Sequence, residues 1–537
     1  MAFQEQRGTG EEMISTKIPQ SNKNKIAILL IFFLTVAFCM LTLNTGHQWG
    51  DDFAAYMADG IALDGGYYDE QIKVNGQILS QNQPFVYVWG YSLVLGLVHR
   101  LVGFDLDSFS SLVYYKVPAI VFLAVWGILL YKVFLKRFGS TTALIMSLGI
   151  ACNQWLVTDT NQIQTDIQFA MLSWGCILLI EEYVLGMGSE NRRKEVWLGI
   201  CLGTMLYLTY ITRYAGMLMI AMLMLSQVAQ FAKLKRGRKT GVSRTCGWWL
   251  AADTLLPYVV FFLLYALISF MMPYAKTQAS DVKRFGIPTL ISNIKEYGFL
   301  NVKFIMSFVP FGMELPLRLK VLAAVPFALL TVIGAIRSYR KEYVLLIYFL
   351  ATMISLLMLP YTQGLRYMFN VLPCLILFFA YGVQGLLRMV GRETRAWKRG
   401  LAGAFVGLIL LGIFMNTGLE SYRNLKAGRV RQFGAYTQDT IIAYKYIRTQ
   451  VPSESNVFFA KGRSLSLNTG RVCHNTYSSV PIRAKQGDYI LLSDDRELEY
   501  TRESDEKWLD DMGAVLESML DLDTLHLYRV MDVRDVT

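Results

Sequence analysis

The chain has 537 residues, of which 54% are hydrophobic, 13% are aromatic and only 17% are charged, and its mean hydropathy is +0.35. Soluble multidomain proteins are much more polar, so we expect lipid to be the main solvent of this chain. The formal net charge of +11 does not indicate nucleic-acid binding, because the Lys and Arg residues cluster beside long apolar runs, where they orient helices against anionic lipid.

The seven cysteines and four histidines do not indicate a disulfide framework or a metal centre. The cysteines lie mostly in or beside apolar runs without CxxC spacing, and the histidines are scattered singly with no HExxH motif. We therefore expect the cysteines to pack as small apolar side chains.

Apolar runs long enough to cross about 30 Å of hydrocarbon recur through most of the chain. Residues 1–25 are polar and predict a disordered cytoplasmic N-terminus, and the run from Ile26 to about Leu43 has no cleavage site after it, which predicts a retained first span. Further runs lie near 112–134, 140–157, 166–185, 196–211, 214–232, 248–272, 317–336, 343–360, 367–387 and 401–416. We predict an all-α polytopic membrane domain over residues 26–416 with about eleven transmembrane helices.

Five basic clusters between these runs orient the protein, because Lys and Arg accumulate on the cytoplasmic side. The clusters lie near 132–137, 192–194, 233–239, 337–341 and 388–399. All five share the side of the N-terminus only if the apolar stretch from Pro84 to about Leu101 does not span, so we predict an interfacial or re-entrant helix there. The result is a multi-pass protein of the plasma (inner) membrane with outer loops at about 45–111 and 273–316.

The last 120 or so residues are more charged and predict a small extracytoplasmic α/β domain over residues 417–537. Within it the pattern predicts a helix over Thr437–Arg448, strands over Asn456–Ala460 and Asp488–Leu492, and a helix around Lys507–Leu520.

Two adjacent carboxylates, Asp51 and Asp52, open the first outer loop just after Trp49. The apolar residues that follow at helical spacing, which predict a short interfacial helix, are Phe53, Tyr56, Met57 and Ile61. One interpretation is structural, with Asp51 as an N-cap and Asp52 interacting with the helix dipole. The other is catalytic, because neighbouring charge and low dielectric at a membrane surface can tune a base.

Several short motifs share the predicted outer face. They are Asp51-Asp52 after the first span, Pro84-Phe85-Val86-Tyr87-Val88-Trp89-Gly90-Tyr91-Ser92 leading to Gly103, Thr165-Asp166, Gly203 with Thr212-Arg213-Tyr214-Ala215-Gly216, Arg366-Tyr367 followed by Pro373, and Tyr446-Ile447-Arg448 with Thr469-Gly470-Arg471 in the tail. In this order they resemble the polytopic GT-C glycosyltransferases, in particular the bacterial protein mannosyltransferase and aminoarabinose transferase branch. The resemblance covers most of the chain.

The resemblance implies a hexosyl- or pentosyltransferase that takes a sugar from a polyprenyl-phosphate donor and passes it to an extracytoplasmic lipid, glycan or protein. In that family an acid of the first outer loop acts as the base, which here is Asp51 or Asp52, with Asp51 favoured as the first of the pair. A positioned carboxylate can accelerate attack by a hydroxyl about 10² to 10⁴-fold. Because phosphate leaves as a stable anion, a single displacement with inversion needs no separate acid.

The departing phosphate needs cations, and the predicted outer face supplies several candidates for substrate binding. They are Arg213, Arg366 with the neighbouring Tyr367, and Lys276, Lys283 and Arg284 in the second outer loop. The alternative is that these cations anchor the protein to lipid phosphates. This interpretation applies most strongly to Lys276, Lys283 and Arg284 in the second loop.

The sequence does not establish a need for a cofactor. A divalent cation is one option. Asp166 could join Asp52 in binding such a cation, as acids of the second loop do in some GT-C branches, since clustered carboxylates repel unless a cation or a proton intervenes. The alternative is that Asp166 is a helix N-cap.

Two other classes of function remain as alternatives. A transporter or flippase of lipid-linked sugars would be expected to carry charges within the membrane or broken half-helices in repeated halves, and the sequence displays neither. A non-catalytic scaffold would use the C-terminal domain to hold partners in an envelope complex.

Overall fold

The computed structural model describes residues 20–64, 73–74, 77–78, 87–106, 109–186, 192–237, 247–271, 286–360, 362, 364–389, 395–431, 433–476, 484–495, 498, 509 and 513–533. The helices up to residue 426 are α1 (Gln20–Thr42), α2 (Asp51–Leu63), α3 (Gly90–Val102), α4 (Leu112–Leu135), α5 (Ser140–Ala151), α6 (Gln154–Asp159), α7 (Asp166–Gly186), α8 (Arg192–Thr212), α9 (Met217–Gly237), α10 (Gly247–Met271), α11 (Ile287–Met306), α12 (Leu317–Leu357), α13 (Leu372–Met389) and α14 (Arg395–Lys426).

The prediction of a mostly helical, multi-pass membrane protein is confirmed. Among the described helices, six are long and apolar enough to cross a membrane, namely α1, α4, α7, α8, α9 and α12. Shorter apolar helices include α5, α13 and the described apolar part of α10, from Thr254 to Phe270. The total of eleven crossings stays a prediction.

The long helix α12 contains both of the spans that were predicted near 317–336 and 343–360. Its backbone leaves the helical region at Glu342 (φ −110, ψ 23), so that two helical arms meet there. Arg137, two residues after the end of α4, donates a hydrogen bond to Glu342 over 2.9 Å and also pairs with Glu181 of α7. The bend is therefore held against two neighbouring helices by a charge network that is largely buried.

The span predicted over 140–157 is not one continuous helix. It is divided into α5 and α6. α5 stops at Ala151, and the Asn153 side chain caps α6 by accepting a hydrogen bond from the backbone N–H of Trp155 over 3.0 Å. Asn153 also donates to the Ser307 hydroxyl over 2.6 Å. A polar residue that finds two partners can interrupt an otherwise apolar helix.

The two predicted outer loops both contain helices. The stretch from Pro84 to Leu101 contains α3, which begins at Gly90 and has 13 residues, about 20 Å, too short to cross the bilayer. Residues 84–86 lie outside the described residues. The second loop contains the 20-residue amphipathic helix α11, which was not predicted.

The C-terminal segment (residues 433–533) forms a sheet with a hairpin from the first loop. Its strands and helices are β3 (Val457–Phe459), β4 (Cys473–Asn475), β5 (Tyr489–Ser493), β6 (Ala514–Asp521), β7 (Leu525–Val533), α15 (Gln438–Gln450) and α16 (Gly462–Thr469). The hairpin consists of β1 (Lys73–Val74) and β2 (Gln77–Ile78), and the sheet order is β2-β1-β4-β3-β5-β7-β6. β1 pairs in parallel with β4 at Val74 and Cys473, so the first loop and the C-terminal segment are joined by strand pairing.

Three of the four elements predicted in the C-terminal segment are confirmed, namely α15, β3 and β5. The predicted helix around Lys507–Leu520 is wrong where it is described, because residues 514–521 form β6. Leu516 and Leu520 have helical spacing, but β6 pairs antiparallel with β7, where Leu516 lies opposite Val530. Pairing with a long neighbouring strand outweighs local propensity here.

The segment between α1 and α2 is held by polar side chains from other elements. Lys116 of α4 is fully buried and donates to the carbonyl oxygens of Asn44 (2.7 Å) and Gly46 (2.5 Å). The Asn161 side chain accepts the backbone N–H of Asn44 and donates to the Thr42 carbonyl, each over 3.0 Å. These bonds fix where α2 begins and tie it to the loop before α7.

His47 adds a second tie between the same two segments. Its Nε2 accepts the backbone N–H of Ile163 over 2.9 Å, so its Nδ1 carries the proton and donates to the Gln48 carbonyl over 2.8 Å. Burial and the nearby Lys116 lower the pKa of His47 to about 3. The ring is therefore neutral at physiological pH, and it places Asp51 relative to Asp166.

The pKa of His47 predicts a loss of stability on acidification. Its folded pKa of about 3 lies below the ordinary value of 6.5, so its contribution to stability is complete above pH 6.5 and is lost as the pH falls toward 3. The His47→Gln variant is expected to be less stable than the wild type at pH 7.5. Between pH 6.5 and pH 5 this difference shrinks by about 1.6 kcal/mol. Thermal unfolding in detergent measures it, and a difference that is unchanged at pH 5 would contradict the buried, neutral ring.

Candidate active site

The acid pair (Asp51 and Asp52) forms the first turn of α2, as the sequence predicts. The preceding Gly50 is extended, and no side chain caps the helix, so the interpretation of Asp51 as an N-cap is wrong. The Oδ1 atom of Asp51 accepts the backbone N–H of Ser464 over 3.2 Å. Burial raises the pKa of Asp51, while Arg463 opposes the shift.

Asp52 lies between a tyrosine and an arginine. Its Oδ1 accepts the Tyr87 hydroxyl over 2.6 Å, and its Oδ2 lies 4.0 Å from Nη2 of Arg366. Tyr87 belongs to the motif that precedes α3, and Arg366 lies in a single 3₁₀ turn, Leu365–Met368, ahead of α13. The carboxylate is 38% exposed, so it is accessible from outside the helix bundle.

Asp166 and Arg213 form a second pair of opposite charges beside the first. Asp166 begins α7 and is 4% exposed, and it accepts a hydrogen bond from the Arg213 guanidinium. Arg213 occupies the break between α8 and the turn Tyr214–Gly216, where its backbone is extended. Burial works against its charge, but Asp166 and Tyr367 hold the pKa of Arg213 above its ordinary value.

Tyr367 lies between the two arginines. The Arg213 guanidinium carbon is 4.2 Å from the centre of its ring, and that of Arg366 is 5.3 Å away. Cations within about 6 Å of an aromatic ring are attracted to its face. Tyr367 therefore holds two like charges near each other, an arrangement suited to an anion.

A cleft between α9 and the end of α12 contains both arginines. Its lining includes Asp166, Phe169, Arg213, Ala215, Leu218, Thr352, Ser355, Leu356, Arg366, Tyr367 and Asn370. Thr352 is 5% exposed, and its hydroxyl has no hydrogen-bond partner among the residues that the structure describes. Ala215 and Ser355 are exposed, so the cleft opens on the side of the helix bundle. Buried polar groups normally have partners, so the orphaned hydroxyl points to a polar ligand.

The structure brings together most of the residues that the sequence singled out. Asp51, Asp52, Asp166, Arg213, Arg366 and Tyr367 lie around the acid pair and the cleft. Lys276, Lys283 and Arg284 lie outside the described residues. Their proposed role in substrate binding stays a prediction.

Three further residues at the site were not selected as functional from the sequence: Tyr87, Asp159 and Arg463. Burial and the nearby Asp166 raise the pKa of Asp159 to about 8, and Arg366 opposes the shift. Arg463 donates to the Tyr87 hydroxyl over 3.0 Å. Tyr87 stood in a recognised motif and could have been chosen on that ground, whereas nothing local distinguishes Arg463 from other arginines.

The described residues do not fit a divalent cation at Asp52 and Asp166. Within that part of the chain, no three His, Cys, Asp or Glu side chains are grouped so that they could hold a metal ion. Both carboxylates face guanidinium groups, Arg366 and Arg213 respectively, which supply the positive charge that a metal would bring. No chemical step is therefore assigned to a metal.

No protein-family model matches the sequence, and no curated protein sequence matches it. Solved structures do match it. ArnT from Cupriavidus metallidurans bound to undecaprenyl phosphate is 12% identical, with a TM-score of 0.52 over 93% of this chain and 97% of that chain. The archaeal oligosaccharyltransferase AglB from Archaeoglobus fulgidus, in complex with an inhibitory peptide and a dolichol-phosphate, is 10% identical, with a TM-score of 0.53 over 85% and 65%.

A third match is the Archaeoglobus fulgidus oligosaccharyltransferase tethered with an acceptor peptide that contains the NVT sequon. It is 11% identical, with a TM-score of 0.55 over 96% of this chain and 74% of that chain. Identities this low establish the fold alone. The chain shares the fold of ArnT and AglB, and the predicted resemblance to the GT-C glycosyltransferases is confirmed at that level.

Proposed function

We propose that this chain is a glycosyltransferase that moves a hexose or pentose from a polyprenyl-phosphate donor to an acceptor hydroxyl on the extracytoplasmic side of the plasma membrane. The observation that carries the proposal is the 4.0 Å approach of Arg366 to Asp52, because it joins the acid pair to the cleft. The shared fold supports it, since the ArnT structure contains undecaprenyl phosphate and the AglB structure contains a dolichol-phosphate. The acceptor is a lipid, a glycan or a protein.

The cleft is the proposed site of the donor phosphate. Arg213 and Arg366 supply two cations, and the Thr352 hydroxyl supplies a further donor. Hydrogen bonds to charged groups contribute about 1.5–3 kcal/mol each. Because the cleft opens on the side of the bundle, past Ala215 and Ser355, a polyprenyl chain in the bilayer enters it laterally.

Asp51 is the proposed base. Asp52 is engaged with Tyr87 and Arg366, on the side of the cleft, whereas Asp51 faces the C-terminal segment and makes no contact with the two arginines of the cleft among the hydrogen bonds and ion pairs of the described residues. Burial raises the pKa of Asp51, which makes its carboxylate a better proton acceptor.

The proposed reaction is a single displacement. The acceptor oxygen bonds to the anomeric carbon as the bond from that carbon to the phosphate oxygen breaks, so the configuration inverts. The acceptor proton passes to Asp51, and the negative charge of the departing phosphate is stabilised by Arg213 and Arg366. Asp166 and Asp52 hold these two arginines in place.

The first test measures donor consumption by the purified full-length protein with a panel of polyprenyl-phosphate sugars and a membrane extract as the source of acceptor. The wild type is expected to consume at least one donor, and Asp51→Asn to transfer about 10² to 10⁴-fold more slowly with unchanged donor binding.

Because the base acts when deprotonated and its pKa is raised, activity should fall on acidification at a higher pH than for an ordinary aspartate.

The matched control is Asp64→Asn, which removes a carboxylate just after the other end of α2, where Asp64 pairs with His99. This variant should retain wild-type turnover. Undiminished turnover in Asp51→Asn would remove the proposed base, and no consumption of any donor by the wild type would contradict the proposed function.

The second test concerns the donor phosphate. Arg366→Gln is expected to weaken binding of a polyprenyl phosphate about tenfold or more, because a charge-assisted hydrogen bond is lost. Arg318→Gln is the control, since Arg318 is an exposed arginine at the start of α12 and outside the cleft lining. Equal affinities in the two variants, measured by titration in detergent, would mean that Arg366 is an ordinary membrane anchor.

A further inference from the structure

The C-terminal segment reaches the acid pair through the first turn of α16. Arg463 donates to the Tyr87 hydroxyl over 3.0 Å, and the same hydroxyl donates to Asp52 over 2.6 Å. The next residue, Ser464, donates its backbone N–H to Asp51 over 3.2 Å. Two consecutive residues of one helix therefore contact both members of the acid pair, one of them through Tyr87.

The position of α16 is fixed within the C-terminal segment. The Gly462 N–H donates to the Asn475 side chain over 2.8 Å, and a Cβ atom at Gly462 would lie 2.6 Å from that oxygen. The Asn468 side chain accepts the Tyr436 hydroxyl over 3.0 Å and donates to the Ser464 carbonyl over 2.7 Å. Arg463 therefore projects from a rigid turn, which is what a group that orients another side chain requires.

The segment is also docked firmly beside the acid pair. The Asp495 carboxylate accepts the Trp49 indole N–H over 2.6 Å and the Gly434 backbone N–H over 2.7 Å. Gly434 has a φ of +116, and a Cβ atom there would lie 2.2 Å from the His47 carbonyl oxygen. The backbone just before α2 and the C-terminal segment thus approach each other closely, a few residues ahead of Asp51.

The charge of Arg463 interacts electrostatically with three carboxyl groups of α2, those of Asp51, Asp52 and Asp59. Burial opposes that charge, but Tyr87 and Asp51, with a further contribution from Asp52, hold the pKa of Arg463 above its ordinary value. Asp59, about two helical turns further along α2, is 1% exposed. Burial raises the pKa of Asp59, and the charge of Arg463 opposes that rise. Removing the guanidinium would weaken the compensation of this acidic face and would take from the Tyr87 hydroxyl the hydrogen bond that it accepts from Arg463.

We propose that Arg463 is a positioning residue, which fixes Tyr87 so that Tyr87 holds the Asp52 carboxylate beside Arg366, and that the C-terminal segment thereby completes the active site. The inference rests on the proposed function, and it gives this segment a part in catalysis besides any contact with the acceptor. Arg463 acts through Tyr87 and touches neither reacting group.

The kinetic test compares kcat and the donor KM. Arg463→Gln is expected to lower kcat about tenfold or more, because small displacements of positioned groups are costly, and to raise the donor KM less than Arg366→Gln does, because Arg366 itself is retained. Arg463→Lys should recover part of the loss. Tyr87→Phe should lower kcat to a similar extent, and the double variant should be no slower than either single variant, because the two residues act in one chain.

Arg448→Gln is the matched control, because Arg448 also joins the C-terminal segment to the first loop, through the Leu106 carbonyl over 3.1 Å, and none of the hydrogen bonds seen among the described residues joins it to the acid pair or to Tyr87. Its kcat should equal that of the wild type. Additive losses in the double variant, or an equal loss in Arg448→Gln, would overturn the proposed role.

A readout independent of activity separates this inference from the proposed function. Hydrogen exchange in the full-length protein should become faster in peptides covering residues 51–63 in Arg463→Gln and stay unchanged in Arg448→Gln. If the wild type transfers no sugar, the proposed function fails, and the exchange result still decides whether Arg463 orders the acid pair. Unchanged exchange in Arg463→Gln would overturn the inference in either case.

Discussion

The candidate site depends on opposite charges from distant parts of the chain that compensate one another in a partly dry recess. Asp166 is paired with Arg213, and Asp52 lies within 4.0 Å of Arg366. Breaking a buried pair by removing one partner typically costs about 3–5 kcal/mol, because the remaining charge is left uncompensated. The same arginines that a phosphate would need are therefore held in place, before any substrate binds, by carboxylates.

This compensation is possible because two loops are tied together ahead of the acids. Asn161 and His47 connect the segment between α1 and α2 to the segment before α7, and Lys116 binds the carbonyl oxygens between them. Asp51 and Asp166 follow these ties by only a few residues. Without these ties, the loop that carries the acid pair would lose conformational entropy each time it became ordered for a catalytic cycle.

Much of the membrane domain and part of the site could be predicted from the sequence because their signals are local. Long apolar runs between basic clusters marked the spans, and an acidic pair followed by apolar residues at helical spacing marked α2. Arg213 and Arg366 were found because each lies in a short turn of a recognised motif. The order of such motifs suggested the resemblance to GT-C enzymes, and the fold is shared with ArnT at an overall identity of 12%.

The remainder could not be predicted because it depends on tertiary contacts. Arg463 and Tyr87 are 376 residues apart, and nothing near either residue indicates that they meet. The break at Asn153 is stabilised by Ser307 on another helix, and β6 takes its form from pairing with β7. In each case a distant partner outweighs the local pattern, which for residues 514–521 had favoured a helix.

The most direct test of whether the acid pair and the cleft form one site is a double-mutant cycle between Asp52→Asn and Arg366→Gln. Donor binding and turnover are measured for the wild type, the two single variants and the double variant. The account predicts that the two losses are coupled by about 0.5–3 kcal/mol, so that the second substitution costs much less once the first is present. Losses that simply add would mean that Asp52 and Arg366 act independently, and would contradict the single site described above.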